Sequence, residues 1–244
     1  MSIYRNVIVV ACALACTGRT DAGSEDAEGA KRATQRAQSA EKNTQPAASS
    51  SSVTVLFFGT SLTAGYGLDP SVAFPKLVEE MAAASGTPIV AINAGLSGET
   101  SAGAVRRIEW TMRQPVDIVV LETGGNDALR ALDADTLEAN LRTVVKTIRT
   151  EQPRARILLA VMEAPPNLGA RYTTRFREAY VEVARSKNLI LLPFLLDRVA
   201  GISALNQADG VHPNERGERV VAENVWKTLQ PVVQEVYRNG LGSK

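Results

Sequence analysis

The chain has 244 residues, 45% of them hydrophobic, and its 27 basic and 26 acidic side chains leave a formal charge of +1. That length and apolar content suit one domain around one substantial core. Interspersed, balanced charge excludes a nucleic-acid stripe or a polybasic membrane patch, and 5% aromatic residues argue against a base-stacking surface.

Met1-Ser2-Ile3-Tyr4-Arg5 leads into an apolar run from Val7 to Cys16. One basic residue ahead of about ten apolar ones has the form of a secretory signal, too short to span a bilayer. Cys12 and Cys16 are the only cysteines, so the rest of the chain holds neither a disulfide nor a thiolate metal site. The small residues before Cys16 resemble a bacterial lipobox without its usual leucine, and Cys12 is a rival cleavage point. The alternatives are a lipidated cysteine tethering the domain to a membrane and an ordinary signal cut nearby. Both imply export, to the periplasm or cell envelope. Residues 1–16 are read as this signal. Residues 17–52 are polar, Ala/Ser/Gln-rich and without apolar period, so they are expected to form a disordered tether.

From Val53 the pattern changes. Short apolar runs at Val53–Phe58, Ile89–Ile92, Asp117–Leu121, Ile157–Met162 and Leu189–Leu192 predict strands. Amphipathic patterns near 73–85, 102–113, 135–151, 172–187 and 215–238 predict the helices between and after them. Near-continuous apolar strands alternating with helices imply a parallel sheet covered on both faces. The expectation is an α/β domain over 53–238, a three-layer α/β/α sandwich with a five-stranded parallel sheet, and a tail at 239–244. Polar clusters follow the first three strands, at Gly59–Thr63, Asn93–Thr100 and Thr123–Asp127. All would emerge at the carboxyl edge of the sheet, where such folds bind ligands.

His212 is the sole histidine, which rules out any multi-histidine metal site. It is also the natural acid–base group near neutral pH. Asp209 lies three positions earlier, where a turn can bring its carboxylate to the ring. The plainer alternative is a surface histidine with a capping aspartate. Ser61 ends the first strand and needs a base to become a nucleophile; otherwise it merely caps a helix. Gly98 and Asn126 are candidate oxyanion donors, through a backbone N–H unhindered by a Cβ and through a carboxamide. Otherwise both serve turn geometry.

Together, Gly59-Thr60-Ser61-Leu62, Asn93-Ala94-Gly95 with Ser97-Gly98, Gly125-Asn126-Asp127 and Asp209-Gly210-Val211-His212-Pro213 resemble the four blocks of the SGNH hydrolases, the GDSL-type esterase/lipase family. Their order and spacing are similar to its bacterial arylesterases and thioesterase/lysophospholipases. The resemblance implies a flavodoxin-like sheet. It implies Ser61 as nucleophile, His212 as base and Asp209 as its orienting acid. The oxyanion hole would be made by the N–H of Ser61 with Gly98 and Asn126. No metal or organic cofactor is implied.

One departure is Thr60, where the family normally has Asp. Its hydroxyl is expected to replace local turn hydrogen bonds, with rate or stability altered. Glu122 is expected to meet a buried hydrogen-bond partner, Asp127 to cap a helix, and Ala164–Gly169 to border the acyl side of the cleft as a movable loop. The expected activity is hydrolysis of short to medium acyl esters, thioesters, aryl esters or lysophospholipids through an acyl-enzyme. The alternatives are an acyltransferase or carbohydrate O-deacetylase on the same framework and, remotely, a non-catalytic binding lipoprotein.

Overall fold

The computed structural model describes residues 52–241. The expected signal with Cys12 and Cys16, all but the last residue of the expected tether, and residues 242–244 lie outside the described residues.

Five parallel strands, β1 (Val53–Gly59), β2 (Ile89–Gly95), β3 (Ile118–Leu121), β4 (Arg156–Val161) and β5 (Ile190–Phe194), form one sheet in the order β2-β1-β3-β4-β5. The helices are α1 (Ser61–Ala64), α2 (Phe74–Ala84), α3 (Ser101–Thr111), α4 (Gly125–Leu129), α5 (Ala134–Glu151), α6 (Ala170–Lys187) and α7 (Glu215–Leu241). Packing sorts the longer ones into two layers. Helix α2 packs on α7, while α3, α5 and α6 pack in series.

The two faces can be read from neighbouring residues of β1, since successive side chains point to opposite sides of a strand. Phe57 meets Phe74 of α2 edge-on, with ring centroids 5.7 Å apart. Phe58 instead lies under the Arg107 guanidinium of α3, 4.0 Å from the ring centroid. Both phenylalanines are fully buried, as is all of β3. Each such side chain contributes about 1.5–3 kcal/mol through burial. The three-layer α/β/α expectation therefore holds.

The departures are local. Helices α1 and α4 occupy stretches that read as loops, because four or five residues are too few to show a helical period. Strand β5 continues two residues past the expected Leu192. At Pro193 its register with β4 shifts, so that Ala160 pairs Leu192 and Val161 pairs Phe194. Proline lacks the ladder N–H, and an edge strand tolerates that loss. Helix α7 runs through Pro231 to Leu241, beyond the expected end at 238.

The chain leaves β1 to build β2 on one side and returns to place β3 on the other. The carboxyl ends of β1 and β3 thus flank the point where strand order reverses, the usual ligand crevice of an open α/β sheet.

Candidate active site

Three loops leave the sheet at that crevice, and a fourth closes over them. Gly59 ends β1 because a Cβ there would lie 2.0 Å from Thr63 Oγ1 and 2.5 Å from Glu122 Oε2. Behind the turn sits Glu122, wholly buried at the end of β3. Its carboxylate accepts the Thr60 N–H at 2.7 Å, the Thr60 hydroxyl at 2.9 and 3.0 Å, and the Thr63 hydroxyl at 2.9 Å. Burial pushes this carboxyl up, opposed by those donors. The Thr60 hydroxyl therefore does not bond within its own turn as expected. It crosses to the neighbouring strand, because the buried carboxylate there needs donors. Glu122 does have the buried partners expected of it. Fixed from beneath, Ser61 opens α1 with its hydroxyl toward the crevice.

The β2 loop packs on this turn. Asn93 Nδ2 donates to Thr63 O at 2.8 Å, and Gly95 leaves room for the Ala64 backbone. Gly98 follows with φ +77°, in open space where a Cβ would meet nothing within 4 Å. Left-handed backbone already favours glycine here. Its carbonyl accepts from Arg130 Nη2 at 3.1 Å.

At the β3 loop, Gly124 has φ +101°, and a Cβ would strike the Tyr180 hydroxyl at 2.2 Å. Asn126 donates one carboxamide N–H to Glu99 O at 3.0 Å. Asp127 is not the helix N-cap expected: it lies inside α4, and its carboxylate accepts the Ser101 N–H at 2.8 Å and the Ser101 hydroxyl at 2.5 Å, holding the first residue of α3.

The late loop is stitched into a tight turn. Asn206 bridges Pro213, and the Gln207 N–H donates to His212 O at 2.7 Å. Gln207 Nε2 ties the turn to the loop after Ser61 through Tyr66 O, 2.7 Å, and to Pro213 O, 2.9 Å. Asp209 Oδ1 accepts the N–H groups of Val211 and His212, at 2.9 and 3.0 Å. Its Oδ2 lies 2.7 Å from His212 Nδ1, and His212 Nε2 lies 2.9 Å from Ser61 Oγ. The His212 amide, then the His212 ring and the Val211 amide, hold the Asp209 carboxyl down at about 2. It stays ionised at any working pH, favours the proton on Nδ1, and leaves Nε2 to accept from the Ser61 hydroxyl. The helix-capping role open to Asp209 falls to Asn214, whose Oδ1 accepts from Arg216 and Gly217 N–H.

Ser61, Gly98, Asn126 and His212 line one cleft of about 720 Å³, with Leu62, Leu129, Met162, Phe194 and Leu196 among its walls. Ala164, Pro165 and Pro166 border it as expected. No group of three His, Cys, Asp or Glu side chains able to hold a metal occurs among the described residues. Three residues at the site escaped the sequence reading. Tyr66 tilts over the His212 ring, with centroids 4.6 Å apart; Gln207 fastens the histidine turn; Arg107 pairs with Glu99 behind Gly98. Only tertiary contacts reveal them.

The GDSL-like Lipase/Acylhydrolase family matches residues 57–220, a span containing every residue of this crevice named above. Esterase TesA of Pseudomonas aeruginosa is 37% identical over 181 residues, covering 74% of this chain and 89% of that protein. Thioesterase 1/protease 1/lysophospholipase L1 of Escherichia coli K12 is 34% identical over 181 residues, covering 74% and 85%. A crystal structure of TesA superposes with a TM-score of 0.70 at 37% identity, over 73% of this chain and 99% of that one. With the fold, the four loops and these relatives in agreement, the chain belongs to the GDSL-like lipase/acylhydrolase family, the SGNH hydrolases.

Proposed function

We propose that the protein is an exported serine hydrolase of carboxylic esters and thioesters, with Ser61 as nucleophile. His212 Nε2 takes the Ser61 proton as Oγ attacks the carbonyl carbon. The oxyanion is met by the N–H groups of Ser61 and Gly98 and by the Asn126 carboxamide. Collapse expels the alcohol or thiol, which takes the proton from His212. Water then attacks the acyl-enzyme with His212 again as base, releasing the acid and freeing Ser61. The observation that carries this reading is the unbroken chain from Ser61 Oγ through His212 to Asp209, at 2.9 and 2.7 Å.

The relatives' names, esterase and thioesterase/lysophospholipase, support the same bond class. The apolar cleft walls favour an acyl or aryl group over a sugar. Short to medium acyl esters, aryl esters and lysophospholipids are the substrates proposed. A fluorophosphonate probe should label Ser61 in the folded protein, and Ser61→Ala should abolish turnover of p-nitrophenyl esters. Equal turnover by both proteins would exclude the mechanism, and absence of labelling would favour a non-catalytic binding protein. A graded series of acyl esters and thioesters reads the preferred chain length.

Export rests on the signal-like run ahead of Cys16. Lipidation of Cys16, or of Cys12, would tether the domain to a membrane. Mass spectrometry of the mature N-terminus tests it: a diacylglyceryl cysteine is the expected product, and an unmodified N-terminus produced by ordinary cleavage would refute tethering.

A further inference from the structure

Ser61 rests on a buried carboxylate, but the Gly98 loop opposite it stands in open space and must be held differently. Three side chains do this. Arg130 donates to Gly98 O, and Asn126 donates to Glu99 O. Arg107 grips the Glu99 carboxylate with two bonds, Nε to Oε1 at 2.9 Å and Nη2 to Oε2 at 2.7 Å.

This pair is no ordinary surface bridge. The Glu99 side chain is 4% exposed and that of Arg107 20%. The guanidinium lies over Phe58, its carbon 4.0 Å from the ring centroid. Its further bonds run to Ala94 O at 3.0 Å and Gly59 O at 3.2 Å, at the ends of β2 and β1. Gly59 is two residues before Ser61. One planar cation therefore references the Gly98 loop directly to the nucleophile's strand. Helix α3 makes room for it: a Cβ on Gly103 would lie 2.6 Å from Glu99 Cγ. A helical glycine costs about 1 kcal/mol relative to alanine, and space for Glu99 accounts for it here.

We propose that the Glu99–Arg107 ion pair positions the oxyanion hole, setting the Gly98 N–H and the Asn126 carboxamide relative to Ser61. The inference rests on the serine-esterase reading above. One Asn126 N–H is committed to Glu99 O, which fixes the carboxamide of a residue that lines the cleft. If Glu99 shifts, both donors shift together. Arginine suits this task because its rigid fork fixes direction as well as distance, which a lysine ammonium cannot. Misaligned donors weaken the transition state, where the oxygen carries charge, far more than they weaken an acyl chain lying in an apolar cleft.

The test compares wild type, Arg107→Lys, Glu99→Gln and the double variant in the full chain. Four readouts are taken: kcat, KM for p-nitrophenyl butyrate, Ki for a trifluoromethyl ketone whose hemiketal oxygen occupies the hole, and thermal midpoint. Each single variant should lose about ten- to a hundredfold in kcat with KM changed less than about twofold, since one whole donor is typically worth 10²–10³. Ki should rise in parallel with the fall in kcat/KM, and the double variant should be little worse than either single one. Folded variants with unchanged kcat and Ki, or with only KM raised, overturn the proposal. So does failure of both single variants to fold, which makes the pair a structural brace. Wild type lacking Ser61-dependent turnover would instead remove the esterase reading itself, and this inference with it.

Discussion

The Ser61 turn and the His212 turn meet at one hydrogen bond but are built in opposite ways. Thr60 and Thr63 hang on the wholly buried Glu122, reached across 62 and 59 residues of sequence. The Asp209–His212 turn is half exposed and fastened by its own backbone, by Asx-type bonds to Asp209 and by Gln207. Buried hydrogen bonds resist displacement, whereas exposed ones exchange with water at small cost. Ser61 is therefore the fixed reference of the site, and His212 is the part that adjusts to it.

The contrast is broken most severely from the histidine side. Asp209→Asn keeps the shape of the turn but removes the charge that orients the ring. It should lower kcat roughly 10⁴-fold while leaving the thermal midpoint close to wild type. A loss below tenfold would mean that Asp209 does not govern His212. On the Ser61 side the balance reverses. Glu122→Ala strands three buried donors and should cost about 3 kcal/mol or more in denaturant unfolding. An unfolding free energy near wild type would show that the turn does not depend on its carboxylate.

The two regions are also joined from behind. Glu218, one turn into α7, accepts the Phe74 N–H of α2 at 2.7 Å. Burial pushes its carboxyl from 4.5 up to about 8, with the Phe74 bond pulling the other way. The folded state thus holds a proton that the unfolded chain releases above about pH 4.5. Its contribution to stability is complete below that point and is lost as pH rises through about 8. Glu218→Gln, neutral at every pH, should melt higher than wild type at pH 9, with the gap closing toward pH 5. Parallel melting curves across that range would contradict the assignment. The smallest effect is expected at Gln207→Ala, which loosens only the exposed fastening. Stability should fall by about 1 kcal/mol, with kcat reduced more than KM is raised. An unchanged kcat would show that the turn holds itself.

What the sequence made legible follows from what local pattern can encode. The alternation of apolar runs and amphipathic stretches marked all five strands and five of the helices, because burial on two faces or one leaves a period behind. The blocks around Ser61, Gly98, Asn126 and His212 were readable because the chemistry demands particular residue types at loop positions. The roles of Thr60 and Asp127 were misjudged for a shared reason. Both side chains bond across the sheet or to another helix, and a partner 62 or 26 residues away leaves no local trace. The left-handed backbone of Gly98, φ +77°, is invisible in a one-letter code. Nothing local marks Arg107, because its partners Glu99, Phe58 and the ends of two strands meet only in the fold.

The imidazole between Ser61 and Asp209 is the chain's only one. Its ring resonances therefore need no assignment strategy: selective ¹⁵N labelling of histidine yields a single spin system that reports tautomer, charge and inhibitor adduct at the crevice. Any perturbation of the opposing turn can be followed through that one ring.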